Sequence, residues 1–179
     1  MSSEHDALLD PEGLTDLEER PIEEIRARRA ACIDVETGLS YLRRLIQGSL
    51  DIIERELVRR AGGGDPQSVG DLVDQLPDIL GEIPRPPGVG RLTQILEPTE
   101  FDDELIRAYE DLVGDGRLAR AADLGGVELV ALMDQLREIE VKVSARRHAF
   151  HGCIDALQAE MTRRYRTGEA TVDSLLEPT

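Results

Sequence analysis

Apolar residues recur at helical spacing along two long stretches of the chain. Val35, Leu39, Ile46, Leu50, Ile53 and Leu57 in the first correspond to Ile139, Val143, Phe150, Ile154, Leu157 and Met161 in the second, at a constant offset of 104 residues. Steps of three, four and seven place each set on one side of an α-helix. Pro21 followed by Ile22, Glu23 and Glu24 is a helix start, with proline in the first turn and acids at the positive end of the dipole. No strong breaker follows until Gly62-Gly63-Gly64, which predicts a first long helix over 21–60, roughly 60 Å in length. Gly125-Gly126 precedes a second long helix over 127–167, and Gly168 stops it. The connecting region, 61–126, contains Gly-Gly-Gly-Asp-Pro and Pro84-Arg85-Pro86-Pro87-Gly88 interruptions. It predicts one short helix over 68–80 and another from Thr99 and Glu100 to about Val113, ended by the Gly114-Asp115-Gly116 turn. Residues 1–20 read as a disordered acidic tail and 168–179 as a flexible one.

The polar positions repeat as well. Glu36, Ser40, Arg43, Gln47 and Asp51 read E-x-x-x-S-x-x-R-x-x-x-Q-x-x-x-D, and Glu140, Ser144, Arg147, His151 and Asp155 repeat the spacing with His for Gln. Steps of 4, 3, 4 and 4 gather five side chains within an arc of roughly 80° over about 22 Å of helix. The apolar stripe is centred about 100° away. Antiparallel pairing of the two apolar seams sets the polar stripes side by side about an approximate two-fold axis. Gly48 and Gly152, Glu56 and Glu160, Arg59-Arg60 and Arg163-Arg164, and Gly64 and Gly168 keep the same offset. A solvated helix face is the alternative reading of one stripe alone; a second copy argues against it. Serine and glycine are poor helix formers that solubility does not demand. The matched glycines indicate something that approaches the backbone closely.

Composition narrows the function. The 179 residues carry 37 acidic and 21 basic side chains, a formal net charge of −16. Such a chain repels a phosphate backbone, which argues against direct nucleic-acid binding and favours a basic protein partner. Aromatic residues are 3% and tryptophan is absent, which suits a helical hairpin better than a large globular core. Cys32 and Cys153 form neither a metal cluster nor a disulfide framework. No apolar run reaches a membrane-spanning length and the N-terminus is acidic, so the expectation is a cytoplasmic, reduced protein without membrane attachment.

Arginine offers a planar fork of donors for phosphate or the guanine Hoogsteen edge, and a carboxylate accepts from guanine N1–H and N2–H. The stripe fits a guanine nucleotide better than a metal, because arginine repels a cation. Two stripes related by a two-fold axis fit a two-fold-symmetric ligand such as cyclic di-GMP. His148 and His151 could bind a metal, but His151 is better read as replacing the Gln47 donor, with His148 a surface residue. Arg59, Arg60, Arg163, Arg164 and Arg166 could meet phosphate or answer the helix dipole. There is no nucleophile–base arrangement, no phosphate-binding glycine loop and no signature of cyclic di-GMP turnover, so an enzyme is not expected.

The duplicated E-x-x-x-S-x-x-R-x-x-x-Q-x-x-x-D spacing resembles the signature of the RsiG-type anti-sigma factors, which hold a WhiG-type sporulation sigma factor when cyclic di-GMP is bound. The first motif matches fully and the second departs at His151. The resemblance covers the two long helices. The helical pattern predicts an all-α fold with short helices in the connection, and the resemblance implies a long antiparallel coiled-coil hairpin. It further implies two bound molecules of cyclic di-GMP and a sigma-factor partner. On this reading Arg43 and Arg147 contact guanine and phosphate, Asp51 and Asp155 read the guanine edge, and Ser40 and Ser144 contact phosphate. Glu36, Glu140, Gln47 and His151 complete the hydrogen bonding or orient the arginines. The rival is a nucleotide-independent acidic coiled-coil adaptor or RNA polymerase secondary-channel regulator.

Overall fold

Ile22–Ala61 forms one uninterrupted α-helix, and Gly126–Thr167 forms a second. The computed structural model describes residues 4–62, 102–114 and 116–170. Among the described residues there are two shorter helices besides, so that α1 is Glu4–Leu8, α2 is Ile22–Ala61, α3 is Asp103–Val113 and α4 is Gly126–Thr167. Among the described residues there is no strand, and the fold is all-α. The predicted helix over 68–80 lies outside the described residues. The next one begins at Asp103, with Asp102 accepting from the Leu105 amide at 3.3 Å, and ends at Val113 as expected. The start of α4 is held by Glu128, whose carboxylate accepts from the Gly125 amide at 2.8 Å, as in a capping box. Gly168, at φ +79°, takes the left-handed conformation that ends it.

The chain divides into two compact units, and α2 and α4 contribute to both. The first unit holds α2 up to Arg44 and α4 from Glu140 onward. Its core is Ile25, Cys32, Val35, Leu39 and Leu42 against Val143, Phe150, Cys153 and Leu157. Arg43 contacts Glu140, Glu36 contacts Arg147 and Cys32 contacts Cys153, so the helices run antiparallel. The thiols of Cys32 and Cys153 are 3.3 Å apart, and burial first, then this neighbour, pushes the Cys32 thiol up to about 12. The second unit packs Ile46 and Ile53 with Leu129, Leu132, Leu136 and Ile139. Arg137 meets Glu54 at 2.9 Å there, again an antiparallel pairing. Leu50, Leu57, Ile154 and Met161, expected on the seam, are only half-buried, while Leu42, Leu132 and Leu136 lie fully inside. Each fully buried leucine or isoleucine contributes roughly 1.5–3 kcal/mol, so these seams supply the main stability of the pair.

Residues 4–20 depart from the expectation of a disordered tail. They contain α1 and two 3-10 turns, Pro11–Leu14 and Leu17–Glu19. The reason lies in α2: Arg28 donates to the carbonyls of Ala7, Leu8 and Asp10, pinning the end of α1 and the turn that follows it. Gly13 is buried against the same arginine, whose guanidinium would stand 1.9 Å from an added Cβ. Acidic composition concealed a segment held both by its carbonyls on Arg28 and by Asp6, whose carboxylate accepts from Arg146 at 2.6 Å.

The duplication is also structural. The 3-10 turn Leu17–Glu19 has its counterpart in Ala121–Asp123, at the same offset of 104. At the C-terminal end of α2, Arg59 grips Glu56 with Nε and Nη2 at 2.8 and 2.6 Å, and Arg60 bonds the same carboxylate. Arg60 then donates to the carbonyls of Ala121 and Ala122 at 3.1 and 3.0 Å. In α4, Arg163 and Arg164 grip Glu160 in the same way, and Arg164 donates to the Leu17 carbonyl. Each long helix thus ends by fastening the turn that leads into the other. The bonds from Arg59 and Arg163 respectively, opposed by burial, hold the Glu56 and Glu160 carboxyls down at about 2. The side facing away from the polar stripes is covered in both units. Cys153 lies 3.7 Å from the Leu8 carbonyl, and its counterpart Ser49 lies 3.0 Å from the Tyr109 hydroxyl of α3.

Candidate functional site

The first unit brings most of the duplicated motif together. Glu36, Ser40 and Arg43 lie on one face of α2, and Glu140, Ser144, Arg147, His151 and Asp155 on one face of α4. Arg43 crosses to α4, where its Nε donates to Glu140 Oε1 at 2.9 Å and to Ser144 Oγ at 3.1 Å. Ser144 in turn donates to Glu140 at 2.9 Å. The reciprocal set is built from the other halves of the motifs. Arg147 Nε donates to Glu36 Oε1 at 2.8 Å, and Ser40 donates to the same oxygen at 2.7 Å. The glutamate of each motif therefore serves the arginine of the opposite helix.

The electrostatics follow from this exchange. The Arg43 bond, opposed by burial and helped by Ser144, holds the Glu140 carboxyl below the usual carboxylate range. At Glu36 burial pushes the carboxyl up, but the bonds from Arg147 and Ser40 and the nearby His151 outweigh it, and the net shift is downward. Both carboxylates stay charged at neutral pH, and both arginines are fixed by their inner Nε edges. Their outer edges face outward: the Arg43 side chain is 35% exposed and Arg147 is 28% exposed. Neither Nη of Arg43 makes a hydrogen bond among the described residues. A guanidinium fixed at Nε and open at its Nη atoms is oriented for a second planar or anionic acceptor.

The two sets differ at one position. His151 Nε2 lies 3.2 Å from Arg147 Nη2 and 3.2 Å from Glu36 Oε1. Toward the arginine that nitrogen must accept; toward the carboxylate it must carry a proton. Gln47, its counterpart on α2, lies in the second unit with Asp51, exposed and without a hydrogen bond among the described residues. Asp155 is likewise exposed and makes none. His148 is exposed, as expected of a surface residue. Among the described residues, nothing beyond their own helical backbone and chain neighbours lies within 4 Å of a Cβ built on Gly48 or Gly152. The serines, expected at a phosphate, spend their donors on glutamate here. Among the described residues no His, Cys, Asp and Glu side chains cluster to hold a metal ion. No described helix is long and apolar enough to cross a membrane.

Fold and site together are those of a helical protein with a duplicated acid–serine–arginine stripe on two antiparallel helices. The chain belongs to the RsiG-like family, whose pattern matches residues 11–80 and 115–179. Membership suggests an anti-sigma factor role and implies a sigma factor as partner; the family is not one of enzymes. Among curated proteins none matches the chain.

Proposed function

We propose that this protein is a ligand-gated anti-sigma factor. It binds cyclic di-GMP on the paired polar stripes and thereby sequesters a WhiG-type sporulation sigma factor. The observation that carries the reading is the reciprocal fixing of Arg43 by Glu140 and of Arg147 by Glu36. It leaves both Nη atoms of Arg43, and Nη1 of Arg147 beside His151, for a ligand about one two-fold axis. Those donors would meet guanine or phosphate, with Asp51 and Asp155 as exposed carboxylates for the guanine N1–H and N2–H edge. The open space over Gly48 and Gly152 gives a flat base room to lie against the helices. Glu36, Glu140, Ser40 and Ser144 then act chiefly by holding the arginines in place, and Gln47 and His151 supply further polar contacts. The cytoplasm is the compartment where such a partner resides.

The decisive experiment is pull-down of the sigma factor with and without cyclic di-GMP, together with thermal melting of the chain in the nucleotide. Capture only in the nucleotide's presence, with a raised melting temperature, is expected. Equal capture without nucleotide refutes gating. The second reading, a nucleotide-independent acidic adaptor, is favoured by one observation: the cross-helix ion pairs are complete and can serve as fasteners alone. It predicts no change in melting temperature at any nucleotide concentration.

A further inference from the structure

Every other arginine of α2 within the first unit that lies between the helix start and Arg43 has a partner, but Arg29 has none among the described residues. Arg29 is half-buried, and its Nε is shielded from water without a hydrogen bond. It stands seven residues before Glu36, hence within roughly 20° of it around the helix and two turns further along the same face. The stripe on α2 therefore does not begin at the motif's glutamate. The antiparallel register fixes what lies across from it. Counting back from the Glu36–Arg147 and Cys32–Cys153 contacts places Arg29 level with residues 154–156 of α4, around the motif's Asp155. The position related to Arg29 by the 104-residue offset is Met133, half-buried in the second unit. The extra cation exists on one side of the duplication only.

We infer that Arg29 is an additional anion-binding residue. Its guanidinium contacts a phosphate oxygen of the cyclic dinucleotide held along the α4 stripe, beside Asp155. The inference rests on the nucleotide reading above. A carboxylate that accepts from a base leaves the dinucleotide's own negative charge unanswered at that end, and a partnerless guanidinium level with it supplies the missing donor. The Arg29 Nη atoms make no bond among the described residues and are the donors that an oxyanion would meet. Because Met133 offers no charge, the two ligand positions bind with unequal strength, and the α4 position is the tighter and more salt-sensitive one.

The test is calorimetric titration of the full chain with cyclic di-GMP at two ionic strengths, using wild type, Arg29→Met, Arg29→Lys and Arg107→Met. Arg107 is an exposed arginine on α3, and its replacement controls for net charge. Arg29→Met is expected to weaken one of two binding steps by about tenfold to a hundredfold, the range for a lost hydrogen bond to a charged group. Its salt dependence should flatten, while Arg107→Met matches wild type. Equal affinities for Arg29→Met and Arg107→Met overturn the role of Arg29 and leave the nucleotide reading standing. No uptake by wild type overturns both. If Arg29→Met does not keep the helical far-UV spectrum, Arg29→Lys decides. A point charge in place of the fork should bind several-fold more weakly, and wild-type affinity would count against the contact.

Discussion

Arg43 and Glu140 meet across the helix pair at 2.9 Å, and the glutamate accepts the inner nitrogen of the guanidinium, not its outer edge. The same is true of Arg147 and Glu36 at 2.8 Å. Each motif is therefore incomplete on its own helix. Its arginine is set in place by the acid of the other copy, which couples the binding chemistry to correct pairing of α2 and α4.

Arg43→Ala and Arg147→Ala should abolish cyclic di-GMP binding while keeping the helix content. Each removes charge-assisted bonds to the ligand of about 1.5–3 kcal/mol apiece. The partly exposed ion pairs themselves contribute only ~0.2–1 kcal/mol, small beside the buried seams. Circular dichroism should show an intact far-UV spectrum and a melting point lower by about 1–4 °C. Collapse of the helical signal would mean that the arginines are structural fasteners.

Two stripes should take two ligands. Isothermal titration is expected to give two cyclic di-GMP molecules per chain. One molecule per chain would show that the copies act as a single site.

Replacing His151 by Gln should keep cyclic di-GMP binding, because Gln47 occupies the equivalent place. Replacing it by Ala should weaken binding several-fold, since the ring nitrogens are the polar groups this position offers a ligand. Calorimetric affinities of His151→Ala equal to wild type would remove His151 from the site.

Acid should loosen the helix ends. Glu56 and Glu160 titrate at about 2 in the folded chain against an ordinary 4.5. A carboxyl whose folded value is depressed stabilises the fold fully above the ordinary value, and that contribution is lost as pH falls from about 4.5 to about 2. Unfolding midpoints should therefore drop across this window. Glu160→Gln should be less stable at pH 7, since it leaves the buried Arg164 without its carboxylate and Arg163 with Glu169 alone, and its midpoint should fall less steeply with acid. An unchanged acid slope in Glu160→Gln would exclude this origin.

The repeat, the helical period and the polar stripes are all visible in the chain as written. Val35, Leu39 and Ile46 with Val143, Phe150 and Leu157 mark the buried side of each helix because a 3.6-residue period assigns every residue a direction. That period assigns no axial position. Sliding one helix along the other by a turn keeps the same faces in contact, so no spacing rule could tell that Glu36 would serve Arg147 instead of its own Arg43, or that Cys32 would meet Cys153. The same holds for Arg60 on the carbonyls of Ala121 and Ala122, and for Arg28 on those of Ala7 to Asp10, since backbone acceptors leave no mark in the identity of the residues that carry them. The side of each helix was set by local sequence; the register, and with it the pairing of the two motifs, was decided only when side chains of both helices packed together in three dimensions.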